Sequence, residues 1–239
     1  METAASKEAP ASATVEGLLL VDKPAGVTSH DMVLAARRAY HERSIGHLGT
    51  LDPFATGLLV MLLGRSTRLA TFIVTEPKVY EATIVFGAET DTDDSTGVTV
   101  RSAGLPEADQ VRAAIDSLTG DLMQVPPAYS AKSIDGVRGY DSARRGESVE
   151  QPPVPVRVYK WDVHEANRES LRATITCGTG MYVRALARDL GRAAGSAAHL
   201  ASLRRTRCGE FDVRDAASLE DLRNAPPPLR RLTVIAGDV

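Results

Sequence analysis

The apolar positions of this chain recur with two different periods. "GLLLVD" (Gly17–Asp22) reads as a strand, and "KVYEATIVFG" (Lys78–Gly87) alternates as a half-buried strand does. "PVRVYKWDVHEA" and "SLRATITCG" predict a further pair of strands ending at Gly178. "LLVMLLG" (Leu58–Gly64) is the densest apolar run; it is too short to cross a bilayer and suits a buried strand. Helical spacing appears in "HDMVLAARRAYH", for which Ser29 is the expected N-cap. It recurs in "PEADQVRAAIDSLTG" (Pro106–Gly120), with proline near its start and glycine at its end. "MYVRALARDLGRAAG" (Met181–Gly195) predicts an arginine-studded amphipathic helix, and "ASLEDLRN" (Ala217–Asn224) a short last one. Strands and helices mix irregularly and without internal repeats, so the expected class is α+β rather than doubly wound α/β.

The 239 residues suffice for one large domain, or one with a small appendage. "METAASKEAPASATVE" lacks the cationic region and apolar core of a secretory signal, and its composition predicts a disordered leader over residues 1–15. Without an export signal or a spanning segment, a cytoplasmic protein with no membrane partner is expected. Cys177 and Cys208 form no CxxC pair and are expected to be small buried hydrophobes. The net charge of −3 does not advertise a nucleic-acid binder, yet the charges are unevenly spread. Acids crowd "GAETDTDDSTG" (Gly87–Gly97). Arginines cluster at Arg37/Arg38, Arg65/Arg68, Arg138/Arg144/Arg145, Arg184/Arg188/Arg192 and Arg204/Arg205/Arg207. The planar guanidinium suits phosphate binding and base stacking.

Nucleotide-loop motifs are missing: "GHLGTLDPFATG" lacks the GK[ST] ending of a Walker loop, and no GxGxxG follows a strand. "DTDDSTG" has Ser102 where an EF-hand would need its glutamate, so it reads as a solvated turn. The histidines (His30, His41, His47, His164, His199) are scattered, and no metal-ligand spacing or GxSxG elbow is present.

Asp52 remains. As a bare dipeptide, Asp52–Pro53 is a turn with a capping aspartate. Gly46, Gly49 and Gly57 around it permit tight backbone and close approach of another molecule. Pro53 stiffens the chain, and the apolar run beyond anchors it, as a held nucleophile requires.

"GHLGTLDPFATGLLVMLLGRSTRL" resembles the catalytic segment of the bacterial TruB family, the tRNA pseudouridine-55 synthases. "LLVDKPAGVTSHD" (Leu19–Asp31) resembles its KPxGxTS opening, and "KVYEATIVFGAETDTDDSTG" its K-x-Y strand and TDTxDxxG loop. "PPAYSAKSIDGVRGYDSARRG" (Pro126–Gly146), "CGTGMYVRALARDLG" (Cys177–Gly191) and "AHLASLRRTRCGEF" (Ala198–Phe211) are similar to later motifs, in the family's order. The resemblance implies the pseudouridine synthase catalytic fold over residues 16–224: a mixed, mainly antiparallel sheet flanked by helices and loops. Residues 225–239 are then a short tail, too short for the family's usual PUA domain, and weaker tRNA binding is expected. It also implies isomerisation of uridine 55 in the tRNA T loop by a monomer, without cofactor or metal. By similarity Asp52 is the nucleophile, Arg184 pairs with and orients it, and Tyr80 stacks on the flipped base. Tyr182 and Leu203 line the uracil pocket, His47 inserts near the T-loop bases, and Lys23 is a substrate-binding residue. The arginine clusters become phosphate contacts. One departure is "SAKS", where Ser133 replaces the family's usual lysine and Lys132 precedes it. Two other readings stay open: an inactive tRNA-binding chaperone, and a synthase acting on another RNA.

Overall fold

The structure, a computed structural model, describes residues 15–129, 133–134, 137–138 and 151–232. The predicted leader apart from Val15, Lys132, and most of the "SAKSIDGVRGYDSARRG" stretch lie outside the described residues.

In chain order the elements are β1 (Gly17–Lys23), α1 (Ser29–Tyr40), β2 (Ile45–Leu48) and β3 (Thr56–Leu63). A 3-10 segment (Gly64–Phe72) leads to β4 (Lys78–Phe86), then β5 (Ala88–Thr90), β6 (Thr99–Ser102), α2 (Ala108–Ser117) and β7 (Gly120–Gln124). Two short strands, β8 (Ser133–Ile134) and β9 (Val137–Arg138), pair with each other. β10 (Val154–Ala166), β11 (Ser170–Cys177), α3 (Val183–Ala193) and β12 (Ala198–Cys208) follow. The chain closes with β13 (Phe211–Asp212), β14 (Ala217–Ser218) and α4 (Leu219–Asn224).

Ten strands form one mixed sheet, ordered β14-β1-β3-β12-β4-β11-β10-β7, with β2 on β3 and β13 on β12. Most pairings are antiparallel; β1–β14 and β3–β12 are parallel. The expected α+β class is what forms, and the predicted pairing of β10 with β11 is present. β3 is buried at every residue from Gly57 on, because both of its faces are covered. Leu59, Met61 and Leu63 join the main core with α1 and α3, while Leu58, Val60 and Leu62 pack with Leu18, Leu20 and Cys208 in a second cluster. Alternation on β4, β11 and β12 sends Ala82, Ile84, Ala173, Ile175 and Leu200 into the main core.

The sequence reading needs three corrections. Thr28, not Ser29, caps α1: its side chain accepts from the Asp31 amide, and Asp31 accepts from the Thr28 amide in return. Ser29 lies inside the helix, buried. "DTDDSTG" is a turn solvated only in part: Ser95 and Thr96 are exposed, but Asp93 and Asp94 are 6% and 4% exposed. α3 is amphipathic as expected, but its arginines do not mark a solvent face: Arg184 and Arg188 are buried with its apolar residues.

β3 and β12 pair in ladder register at two positions, Arg204↔Thr56 and Arg205↔Gly57. Gly57 has φ +102°, and a Cβ there would stand 2.2 Å from the Arg205 carbonyl oxygen. Any side chain at Gly57 therefore prises this joint apart. Gly57→Ala is expected to destabilise by more than about 2 kcal/mol in urea unfolding. Gly104→Ala, an exposed glycine with no atom within 4 Å of the added methyl, is the near-neutral control.

Candidate active site

The loop between β2 and β3 carries Asp52, and each of its neighbours is tied down. Leu51 exchanges two hydrogen bonds with the buried Ser29 hydroxyl: its amide donates at 2.9 Å and its carbonyl accepts at 3.0 Å. The Pro53 carbonyl accepts from the Gly26 amide and from Lys23 Nζ, at 2.8 and 3.2 Å. The Gly49 carbonyl accepts from Arg205 Nη2 at 3.0 Å. The KPxGxTS segment is thus the buttress behind the aspartate loop. Lys23 is fully buried and also donates to the Pro24 and Val27 carbonyls, so its ammonium faces backbone rather than an open site. Burial pulls its pKa down to about 8, although Asp52 opposes the shift.

Asp52 itself is gripped from α3. Arg184 Nε donates to Oδ2 at 2.9 Å and Nη2 to Oδ1 at 3.0 Å, a two-pronged pair that fixes the carboxylate plane. The guanidinium also donates to the carbonyls of Thr92 and Tyr129, with Asp94 Oδ2 at 3.8 Å. Arg184 is 5% exposed at its side chain and Asp52 34%, so the carboxylate alone reaches solvent.

Arg188 and Arg192 continue the same face of α3 at four-residue spacing. Arg188 Nη1 donates to Asp93 at 2.8 Å, and Arg192 pairs with Glu89 at 2.7 Å. The acid-rich stretch and this arginine cluster, expected as a turn and as phosphate contacts, neutralise one another. Arg204 is likewise held by Asp22 and Arg205 by two carbonyls. Thr92 and Thr96 hydroxyls donate to Asp94, at 2.8 and 2.5 Å, which makes the loop rigid.

Asp52 and Arg184 border a cavity of about 410 Å³, whose wall also contains Tyr80, Tyr182 and Leu203. The expected residues Asp52, Tyr80, Tyr182, Arg184 and Leu203 therefore meet around one space. His47, on β2, and Lys23 do not line it; His47 Nδ1 is buried without a partner among the described residues. Burial, with Arg205 nearby, keeps the His47 pKa low. Burial also pushes the Tyr80 phenol up to about 12, so it stays neutral. The backbone before α3 is placed by Gln124, whose side chain accepts from the Tyr182 amide and donates to its carbonyl.

Lys78 and Arg205 also line the cavity, and neither was expected there. The signal for both is alternation: Lys78 lies two residues before Tyr80, and Arg205 two after Leu203, so each shares its neighbour's face. Among the described residues, no group of three or more His, Cys, Asp or Glu side chains is placed to hold a metal ion. No described helix is long and apolar enough to cross a membrane.

Solved structures with the same fold include a Cbf5–Nop10–Gar1 complex, 26% identical with a TM-score of 0.66, covering 86% of this chain and 53% of that one. An H/ACA RNP bound to a substrate RNA containing 2′-deoxyuridine matches at 24% identity and a TM-score of 0.63, covering 86% and 51%. This chain spans about half the length of those matched chains. The fold is that of the pseudouridine synthases.

A profile of the TruB family pseudouridylate synthase N-terminal domain matches residues 37–183, and one of the tRNA pseudouridylate synthase B C-terminal domain matches residues 184–232. The chain belongs to the TruB family. Similar proteins include the tRNA pseudouridine synthase B of Corynebacterium efficiens, 48% identical over 87% of this chain and 72% of its own. That of Aromatoleum aromaticum is 43% identical over 90% and 70%.

Lys23 provides a test of the buttress. Replacing it with Met removes a donor from three carbonyls, of which Pro53 keeps the Gly26 amide, and a loss of about 1–3 kcal/mol is expected near neutral pH. Its folded pKa of about 8 lies below the unfolded 10.5, so the unfolded chain binds the extra proton between those values. Wild-type stability should therefore rise with pH across that window relative to Lys23→Met. Urea midpoints of both proteins at pH 7, 8, 9 and 10 check this.

Proposed function

We propose that this protein isomerises uridine 55 in the T loop of tRNA to pseudouridine, with Asp52 as nucleophile and the target base flipped onto Tyr80. The observation that carries the reading is the Asp52–Arg184 pair at the edge of a cavity walled by Tyr80, Tyr182 and Leu203. The names of the similar proteins supply the substrate class.

The cavity volume, about 410 Å³, lies in the range of about 300–1,000 Å³ usual for small-ligand sites and suits one flipped base rather than a duplex. Stacking on Tyr80 contributes about 1–3 kcal/mol toward the unstacking cost. The Arg184 grip keeps Asp52 aimed, leaving its exposed edge free to attack the base or the sugar. The reaction exchanges an N1–C1′ bond for a C5–C1′ bond with no net redox change. It needs no electron carrier, and the reading includes no cofactor or metal. The tRNA T-stem-loop is the partner, and the enzyme acts as a cytoplasmic monomer.

Incubating the protein with unmodified tRNA and mapping pseudouridine tests this directly. Modification is expected at position 55. Asp52→Asn should abolish it while tRNA binding stays within about threefold, and Tyr80→Ala should slow it by at least about tenfold. Binding without any modification by the wild type would favour the chaperone reading, and modification elsewhere a different RNA target.

A further inference from the structure

Lys78 and Arg205 put two cations on the wall of the cavity, and neither forms an ion pair with any described residue. They are 8% and 1% exposed. Arg205 donates Nε and Nη2 to the carbonyls of Leu58 and Gly49, at 2.8 and 3.0 Å, and lies against the Tyr80 hydroxyl; Nη1 serves neither carbonyl. Nη1 and Lys78 Nζ each lie 3.5 Å from where a Cβ on Gly49 would stand, so the bare glycine keeps the space before both cations open. The carboxylates near them are engaged by other groups. Cys177 and Cys208 face Lys78 from the two flanking strands, and burial pushes both thiols up, Cys177 to about 12. Glu76, two residues before Lys78, accepts from the Tyr159 hydroxyl and the Thr179 amide. Asp52 is already matched by Arg184.

Uncompensated buried charge is costly, and a site that keeps it is built for an anion or for charge that develops during reaction. The geometry points to Lys78 and Arg205 as the groups that stabilise the negative charge on the uracil ring when its bond to the ribose breaks. This rests on the function proposed above. When the N1–C1′ bond breaks, its electron pair stays on the pyrimidine and spreads over N1, O2 and O4. Charge on N1 and O2 develops whether Asp52 has bonded to C1′ or added at C6; O4 shares it only while the C5=C6 bond is intact. C1′ then bonds to C5, the bond to Asp52 breaks to restore the free carboxylate, the C5 proton leaves and N1 gains one, so atoms and electrons balance as an isomerisation. A cation beside the ring lowers the barrier to breaking the bond, and contributes little to holding the rest of a tRNA.

Single-turnover pseudouridine formation and tRNA affinity in Lys78→Met test this, with thermal unfolding to confirm folding. The expected result is a loss of about 10²- to 10³-fold in the single-turnover rate with tRNA affinity within about twofold. A rate within about threefold of wild type overturns the proposal. So does a loss confined to affinity with a flatter salt dependence, which would make Lys78 a phosphate anchor. Burial and Arg205 lower the Lys78 pKa, while Cys208, Cys177 and Glu76 oppose. The wild-type rate should therefore fall at alkaline pH as Lys78 loses its proton, and Lys78→Arg should move that fall to higher pH. If Lys78→Met does not fold, this profile decides, and an unmoved alkaline limb overturns the proposal. A wild type inactive on tRNA overturns the function reading and this inference together; an active wild type beside an unimpaired Lys78→Met overturns the inference alone.

Discussion

A guanidinium buried as deeply as Arg184 must find partners inside the protein, and the structure is arranged to provide them. Asp52 meets it from the β2–β3 loop, the Thr92 and Tyr129 carbonyls from two other segments, and Asp94 from beyond Thr92. Three stretches far apart in sequence are thereby fixed around one planar group. Only in that arrangement does the aspartate present an exposed edge to the cavity. Removing the arginine would do more than free a carboxylate, because the loop after β5 would also lose its anchor.

The same logic runs along α3. Arg188 and Arg192 repeat the pairing one and two turns on, so a helix carrying three arginines on one face is neutralised by acids from two loops and one short strand. The pairs differ in exposure. Arg188 and Asp93 are both buried, whereas Arg192 is half exposed over a buried Glu89. Burial lifts the Asp93 pKa to about 6 even with Arg188 in contact, which shows how much desolvation this end of the ladder bears.

Much of this was legible in the residues. β1, β3, β4 and the β10–β11 pair follow from apolar period, because a strand's side chains alternate whatever covers them. The grouping of Asp52, Tyr80, Tyr182, Arg184 and Leu203 followed from family motifs, and the geometry brings all five together. What composition hid was pairing. An acid-rich turn and an arginine-rich helix each look solvated when read alone, and only the fold shows that they cancel. Ser29 was misread for a related reason: it has a capping residue's chemistry, but its hydroxyl serves Leu51 across the site while Thr28 takes the cap. Lys78 and Arg205 were passed over because a charged residue in a strand suggests the solvent face. Their spacing from Tyr80 and Leu203 placed them on the inner one.

The two-pair joint between β3 and β12 bears on how the protein is made. The aspartate loop leaves the ribosome early, whereas Arg184, Leu203 and the Arg205 that grips Gly49 emerge more than a hundred residues later. Domains fold as units during synthesis, and closing so long a loop is slow. Until α3 and then β12 arrive, Asp52 lacks its partner and β3 one of its neighbours. The site is therefore among the last parts to assemble, and a nascent chain halted before β12 carries the nucleophile's loop without a working centre.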